Sequence, residues 1–219
     1  MQNHKTNTDR SDEIKAMIKD QLHSRDLFDT SVESALLQMQ RHWFVPGHLQ
    51  SQAYNDSALP IGNDQTISQP YIVALMTSLL QLTGHETVLE IGTGCGYQTA
   101  ILSLLCKEVH SIEVIADLFH ATKKRFEAYN QPSIQKIRLY SGNGRDGLAE
   151  QAPFDRILCA AAATEIPPAW VSQLSIGGKM VLPLADAEND SHDLMVVTKK
   201  SESELDKKKV IAVRFVPLV

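Results

Sequence analysis

The chain has 219 residues, a formal net charge of −5 and 43% hydrophobic residues, which suits one α/β domain with an extension and a sizeable buried core. The apolar fraction lies well above that of disordered chains, and the acidic balance argues against a general nucleic-acid-binding surface, which needs a basic excess. No apolar run reaches the ~18 residues of a membrane span, and the polar stretch Met1 to Ser11 lacks the apolar core of a secretory signal.

Residues 1–10 read as a disordered tail, 11–69 as an N-terminal helical extension with an active-site loop, and 70–219 as the core of a single domain. Helical spacing joins Ile14, Met17, Ile18 and Leu22, and again Val32, Ala35, Leu36 and Met39. Asp29, Thr30 or Ser31 is positioned to cap the second helix. Arg41 to Pro46 ends it. Gly47 to Gln69 then reads as one long irregular stretch, uncommon in compact domains unless functional. Pro70 suits the first turn of a helix running through Leu80.

From Glu86 strand and helix alternate: strand 86–91, helix 97–106, strand 108–113, helix 115–129, strand 136–141, a short helix near 145–150, strand 154–159, helix 167–174 and strand 179–184. This order predicts a mostly parallel twisted sheet with helices on both faces. Leu194–Lys199 and Val210–Val216 predict an antiparallel pair at one side, with the lysine-rich run from Lys199 to Lys209 as its solvated tip. Cys95, Cys106 and Cys159 form no C-x-x-C pair and lie in apolar segments, so buried free thiols and a cytoplasmic location are expected. The eight histidines show no metal-ligand spacing, and no metal is expected.

The chemistry concentrates in Val88-Leu89-Glu90-Ile91-Gly92-Thr93-Gly94-Cys95-Gly96-Tyr97. A glycine-rich turn between a strand and a helix brings bare backbone N–H groups and a helix N-terminus close to a ligand. The spacing is G-x-G-x-G rather than the G-x-G-x-x-G of dinucleotide-binding turns. Glu90 precedes the first glycine by two positions, and Glu113 ends the next strand. This arrangement resembles the cofactor site of S-adenosylmethionine-dependent methyltransferases, in which the second acid takes the ribose hydroxyls; NAD binding is the competing reading of the turn.

Leu59-Pro60-Ile61-Gly62-Asn63-Asp64-Gln65-Thr66-Ile67-Ser68-Gln69-Pro70-Tyr71 resembles the signature loop of the protein-L-isoaspartate O-methyltransferases. Collinear with it are Trp43-Phe44-Val45-Pro46, Gly-Tyr-Gln-Thr-Ala after the turn, Ser111-Ile112-Glu113, Ala152-Pro153-Phe154-Asp155, Glu165-Ile166-Pro167, Gly177-Gly178 and Val213-Arg214-Phe215-Val216-Pro217-Leu218. The resemblance implies a Rossmann-like class I methyltransferase fold. It implies transfer of a methyl group from S-adenosyl-L-methionine to the α-carboxyl of L-isoaspartyl residues in damaged proteins, leaving S-adenosyl-L-homocysteine. Damaged proteins and isoaspartyl peptides are then the partners, with no nucleic acid and no membrane.

The resemblance also implies the site: Ser68 as the active-site serine; Gln65, Thr66, Ile67, Glu90, Gly92, Thr93, Gly94, Glu113, Asn143 and Gly144 at the cofactor; Val213, Phe215 and Val216 along the substrate backbone. Ser68 has an alternative as a helix cap before Pro70, and both roles can hold. Two departures stand out. Gly142-Asn143-Gly144 replaces the family's Gly-Asp-Gly, exchanging a charged acceptor for a neutral one, and Ala160 to Thr164 differs from the usual alanine–proline run. The alternative to isoaspartyl repair is a cofactor-binding homologue with lost or altered activity, on a small molecule or RNA.

Overall fold

The computed structural model describes residues 9–129, 131–185 and 191–218. Of the expected tail, residues 1–8 lie outside these. Asp9 and Arg10 are fixed rather than loose: the Ser11 N–H donates to Asp9 Oδ1 and Arg10 N–H to Gln40 Oε1.

The extension begins with helix α1 (Ser11–Met17), which runs on through a π turn and a 3₁₀ turn to Arg25. Helix α2 (Thr30–Gln38) is capped by Asp29, whose carboxylate accepts from the N–H groups of Ser31 and Val32, as Ncap acids do. The same carboxylate accepts from Ser78 Oγ, so one cap also ties α2 to the core.

The stretch after Pro46 is not irregular. Gly47–Gln52 form a 3₁₀ helix, and strands β1 (Leu59–Gly62) and β2 (Gln65–Ile67) make an antiparallel hairpin. Its tip, Asn63 and Asp64, has φ of +51° and +56°, the left-handed pair that a two-residue hairpin turn demands and that Asn and Asp tolerate. Arg41 binds the extension together from inside. Its guanidinium is fully buried and donates to the carbonyls of Ala53 (2.8 Å), Ser68 (2.6 Å) and Ser57 (3.4 Å). It also lies over the Tyr97 ring, 5.6 Å from its centroid.

Helix α3 (Pro70–Leu80) opens the core, followed by β3 (Thr87–Ile91), α4 (Tyr97–Leu105), β4 (Glu108–Glu113), α5 (Ala116–Ala128), β5 (Ile137–Ser141), β6 (Phe154–Cys159), α6 (Pro168–Gln173), β7 (Leu174–Ala185), β8 (His192–Lys199) and β9 (Leu205–Val213). The sheet order is β5-β4-β3-β6-β7-β8-β9. Pairing is parallel from β5 to β7 and antiparallel for β8 and β9. Central β3 is buried on both faces: Val88 packs with Leu75, Leu80 and Leu102 of α3 and α4, while Leu89 and Ile91 face Ile157 and Trp170. A strand covered on both sides needs this unbroken apolar run.

Three expectations are corrected at element ends. Two 3₁₀ turns, Gly144–Asp146 and Ala149–Gln151, replace the short helix. Strand β7 starts before Gly177-Gly178, which fall at its register shift. The last strand lies earlier than Val210–Val216, so Lys207 to Lys209 sit in β9 and only Lys200 to Glu204 form the turn. Exposed lysines on an edge strand discourage pairing with other chains. Lys199, at the end of β8, is buried and donates to the Leu174 carbonyl.

All three cysteines are free and buried. Burial raises the Cys95 thiol above its ordinary value and pushes Cys106 and Cys159 up to about 12. Among the described residues no helix is long and apolar enough to cross a membrane.

Candidate active site

At β3 the sheet order reverses: β4 and β5 lie to one side, β6 and the later strands to the other. A crevice at the carboxyl ends of the strands forms at such a point. Here it is a cavity lined from the ends of β3, β4 and β6, the kind of place where small-molecule sites form in such sheets. Its floor is the turn after β3, Gly92 to Cys95. Glu113, Val114 and Ile115 leave β4 on one side, and Ala160 and Ala161 leave β6 on the other. Gln65 to Ser68 cover it from the hairpin, and Gly144 and Val216 to Leu218 complete the wall.

The glycine turn is held in an open form. Gly94 has φ of +55°, and its N–H donates to Glu113 Oε2 at 2.7 Å. Its carbonyl accepts from Thr122 Oγ1, and the Cys95 carbonyl accepts from Arg125. Gly96 is the tight position. With φ of +85°, a Cβ there would lie 2.7 Å from both Phe126 Cζ and Thr122 Cγ2, so a side chain would push α5 off the turn. The second oxygen of Glu113 accepts from the Ile115 N–H at 3.0 Å. A buried carboxylate beside a bare-backbone turn, both lining one cavity, fits a cofactor with a ribose diol and no pyrophosphate.

Ser68 lies between β2 and α3. Gln69, not Ser68, occupies the Ncap position of α3, and no side chain caps that helix. The capping alternative for Ser68 therefore fails. Its carbonyl is held by Arg41, while the residue lines the cavity and its hydroxyl has no hydrogen bond among the described residues. A positioned backbone with an uncommitted O–H suits a donor to a bound anion.

The cavity therefore gathers Gln65, Thr66, Ile67, Ser68, Gly92, Thr93, Gly94, Glu113, Gly144 and Val216 of the expected set. It does not gather Glu90, Asn143, Val213 or Phe215. Asn143 is exposed, and its Oδ1 accepts from the Arg145 N–H in its own turn. Val213 and Phe215 pack instead against the apolar face under α3. Among the lining residues absent from the expected set are Val114, Ile115, Pro217 and Leu218. Val114 and Ile115 follow directly from a strand that ends at a switch point; the other two depend on a crossing of the chain that no local pattern announces.

Glu90 lies below the floor, fully buried. Its Oε2 accepts from Thr99 Oγ1 and Ser111 Oγ, and Ser111 Oγ in turn pairs with Thr93 Oγ1 at 2.6 Å. Oε1 has no partner among the described residues. Burial, opposed by the two hydroxyls, pushes this carboxyl from 4.5 up to about 8. The folded protein thus holds the proton more tightly than the unfolded chain. The stability this contributes is complete below about pH 4.5 and is lost as the pH rises towards about 8. In Glu90→Gln the loss between pH 5 and pH 8 shrinks by about 2–4 kcal/mol. Urea unfolding at the two pH values measures it, and identical pH slopes for both proteins would place the ionisation elsewhere.

A family model described as protein-L-isoaspartate(D-aspartate) O-methyltransferase matches residues 12–219. The chain is 42% identical over 205 residues to protein-L-isoaspartate O-methyltransferase 2 of Geotalea uraniireducens, covering 94% of this chain and 92% of the relative. It is 47% identical over 190 residues to protein-L-isoaspartate O-methyltransferase 1 of an Anaeromyxobacter species, covering 87% and 88%. In fold it resembles a structure reported as a protein-L-isoaspartate O-methyltransferase of Plasmodium falciparum in complex with S-adenosyl-L-homocysteine. The TM-score is 0.82 at 21% identity, over 97% of this chain and 99% of the other.

Proposed function

We propose a mechanism from the premise that this chain belongs to the protein-L-isoaspartate(D-aspartate) O-methyltransferase family. The protein methylates the α-carboxyl of L-isoaspartyl residues in damaged proteins, using S-adenosylmethionine. The ester closes to a succinimide, part of which opens to normal aspartate. The observation that carries this reading is one cavity in which the Ser68 hydroxyl, the bare glycine turn and the Glu113 carboxylate meet.

Bound S-adenosylmethionine supplies an electrophilic methyl group. Glu113 and the turn from Gly92 to Gly94 would hold it, and Thr66 and Ile67, which line the same cavity, would cover it against water. The nucleophile is a carboxylate, ionised at neutral pH, so no strong base is needed. Among the described residues lining the cavity there is no histidine, lysine or arginine. What remains for the protein is placement, which supplies ~7–11 kcal/mol in favourable cases. Ser68 donates to one carboxylate oxygen and leaves the other to react. The backbone near Val216 receives the peptide main chain, so many sequences are accepted. Buried free thiols and the acidic balance support a cytoplasmic enzyme that works on protein rather than nucleic acid.

Methyl incorporation into an isoaspartyl peptide, beside its aspartyl twin, tests the reading; equal labelling of the two, or of neither, would sink it. Within it, Ser68→Ala lowers kcat about tenfold to a hundredfold, the scale of one hydrogen bond to a charged group. Cofactor affinity stays unchanged, because the bond matters most in the transition state. Wild-type turnover from a folded Ser68→Ala protein would remove the serine from the reaction.

A further inference from the structure

After β9 the chain leaves the sheet edge and crosses to the end of β6. The far end of this crossing is fixed twice. Ala162 donates its N–H to the Val216 carbonyl and accepts from the Leu218 N–H, both at 2.8 Å, and Arg145 donates to the Leu218 carbonyl at 2.9 Å. The near end is fixed by a side chain. His192, the first residue of β8, stands opposite Val213 in the ladder. Two residues on, where the ladder has ended, the Phe215 N–H donates to His192 Nδ1 at 3.1 Å.

We propose that His192 is a positioning residue for the peptide side of the active site. Its imidazole sets the path of Phe215 and so the place of Val216 in the cavity wall. The inference rests on the function proposed above, because it is the peptide that Val216 meets. A half-buried backbone N–H leaving a sheet needs an acceptor. A neutral imidazole provides one at Nδ1, with the proton on Nε2. Remove it, and the Phe215 N–H loses the hydrogen bond that holds the backbone between the last ladder pair and the Ala162 bond. Val216 then moves first, since it is the next residue. The cofactor's elements are separate: the turn after β3 and Glu113 of β4 make no contact with His192 through any bond described here.

The test uses the full-length protein and three readings: peptide KM, S-adenosylhomocysteine affinity by calorimetry, and hydrogen exchange at Phe215 and Val216. In His192→Leu the peptide KM rises about five- to tenfold with kcat within about twofold, the pattern of lost uniform binding. The affinity for S-adenosylhomocysteine is unchanged, and the Phe215 amide exchanges faster. His192→Asn, whose Oδ1 hangs from Cγ as Nδ1 does, restores both KM and protection. A wild-type peptide KM in the leucine variant overturns the proposal. So does a joint loss of peptide binding, cofactor binding and thermal stability, or an asparagine variant no better than leucine. If His192→Leu does not fold, His192→Ala, which carries no acceptor, takes its place in the same comparison. A wild-type protein that methylates no isoaspartyl peptide overturns the function instead, and exchange at Phe215 then judges the positioning role alone.

Discussion

Replacing Arg41 with alanine lowers the free energy of unfolding by about 3–5 kcal/mol and weakens the active site at the same time. The side chain is fully buried and its described donors go to backbone carbonyls, not to a carboxylate. Burial lowers its proton affinity below the ordinary guanidinium value, so what compensates the charge is this set of carbonyl dipoles and the Tyr97 ring. Truncation leaves those carbonyls facing a void, and each buried polar group left unpaired costs about 1–3 kcal/mol. Arg41→Lys falls between, because one ammonium cannot copy a planar fork of donors. Urea unfolding gives the stability change. Kinetics on the fraction still folded gives the second effect, a lower kcat, since Ser68 loses the bond on its own carbonyl. An alanine variant with the wild-type midpoint would show that these bonds contribute little.

Glu113→Ala reduces cofactor affinity at least tenfold, by about 1.5–3 kcal/mol for hydrogen bonds to a charged group. The structure adds a reason beyond the ribose. The carboxylate already accepts from the N–H groups of Gly94 and Ile115, so it holds the glycine turn and the exit of β4 in register. Alanine removes the acceptor for the cofactor and the clamp on the turn together. Glu113→Gln keeps one acceptor oxygen and recovers part of the loss. Calorimetry with S-adenosylhomocysteine decides the matter; full affinity in a folded alanine variant would take Glu113 out of the site.

What could be read from the chain was whatever rests on local patterns. The alternation from Glu86 onward predicts the parallel sheet, because buried strands and amphipathic helices write their own periods into the residues. The glycine turn and Glu113 are legible for the same reason: both sit at strand ends. The hairpin of β1 and β2 was hidden because Asn63-Asp64 is a weaker turn signal than Asn-Gly and its strands are only four and three residues long. Glu90 reads as a cofactor ligand by spacing alone; only the packing of Thr99 and Ser111 around it shows that it faces down. Arg41 looks like a surface arginine after a helix, and nothing local says that the connections on either side of the β1–β2 hairpin converge on it. The resemblance puts Val213 and Phe215 along the substrate backbone on a strand running to Val216; the strand ends at Val213, and the chain crosses instead.

The state of the three thiols bears on how long such a molecule lasts. The thiolate, rather than the thiol, is what attacks peroxides and disulfides and is oxidised by them. With Cys106 and Cys159 pushed up to about 12 by burial, both stay as thiols at neutral pH, and burial keeps oxidants from them. Cys95 sits in the glycine turn itself, yet is shielded in the same way. An enzyme that corrects ageing in other chains has, in this core, cysteines that age slowly themselves.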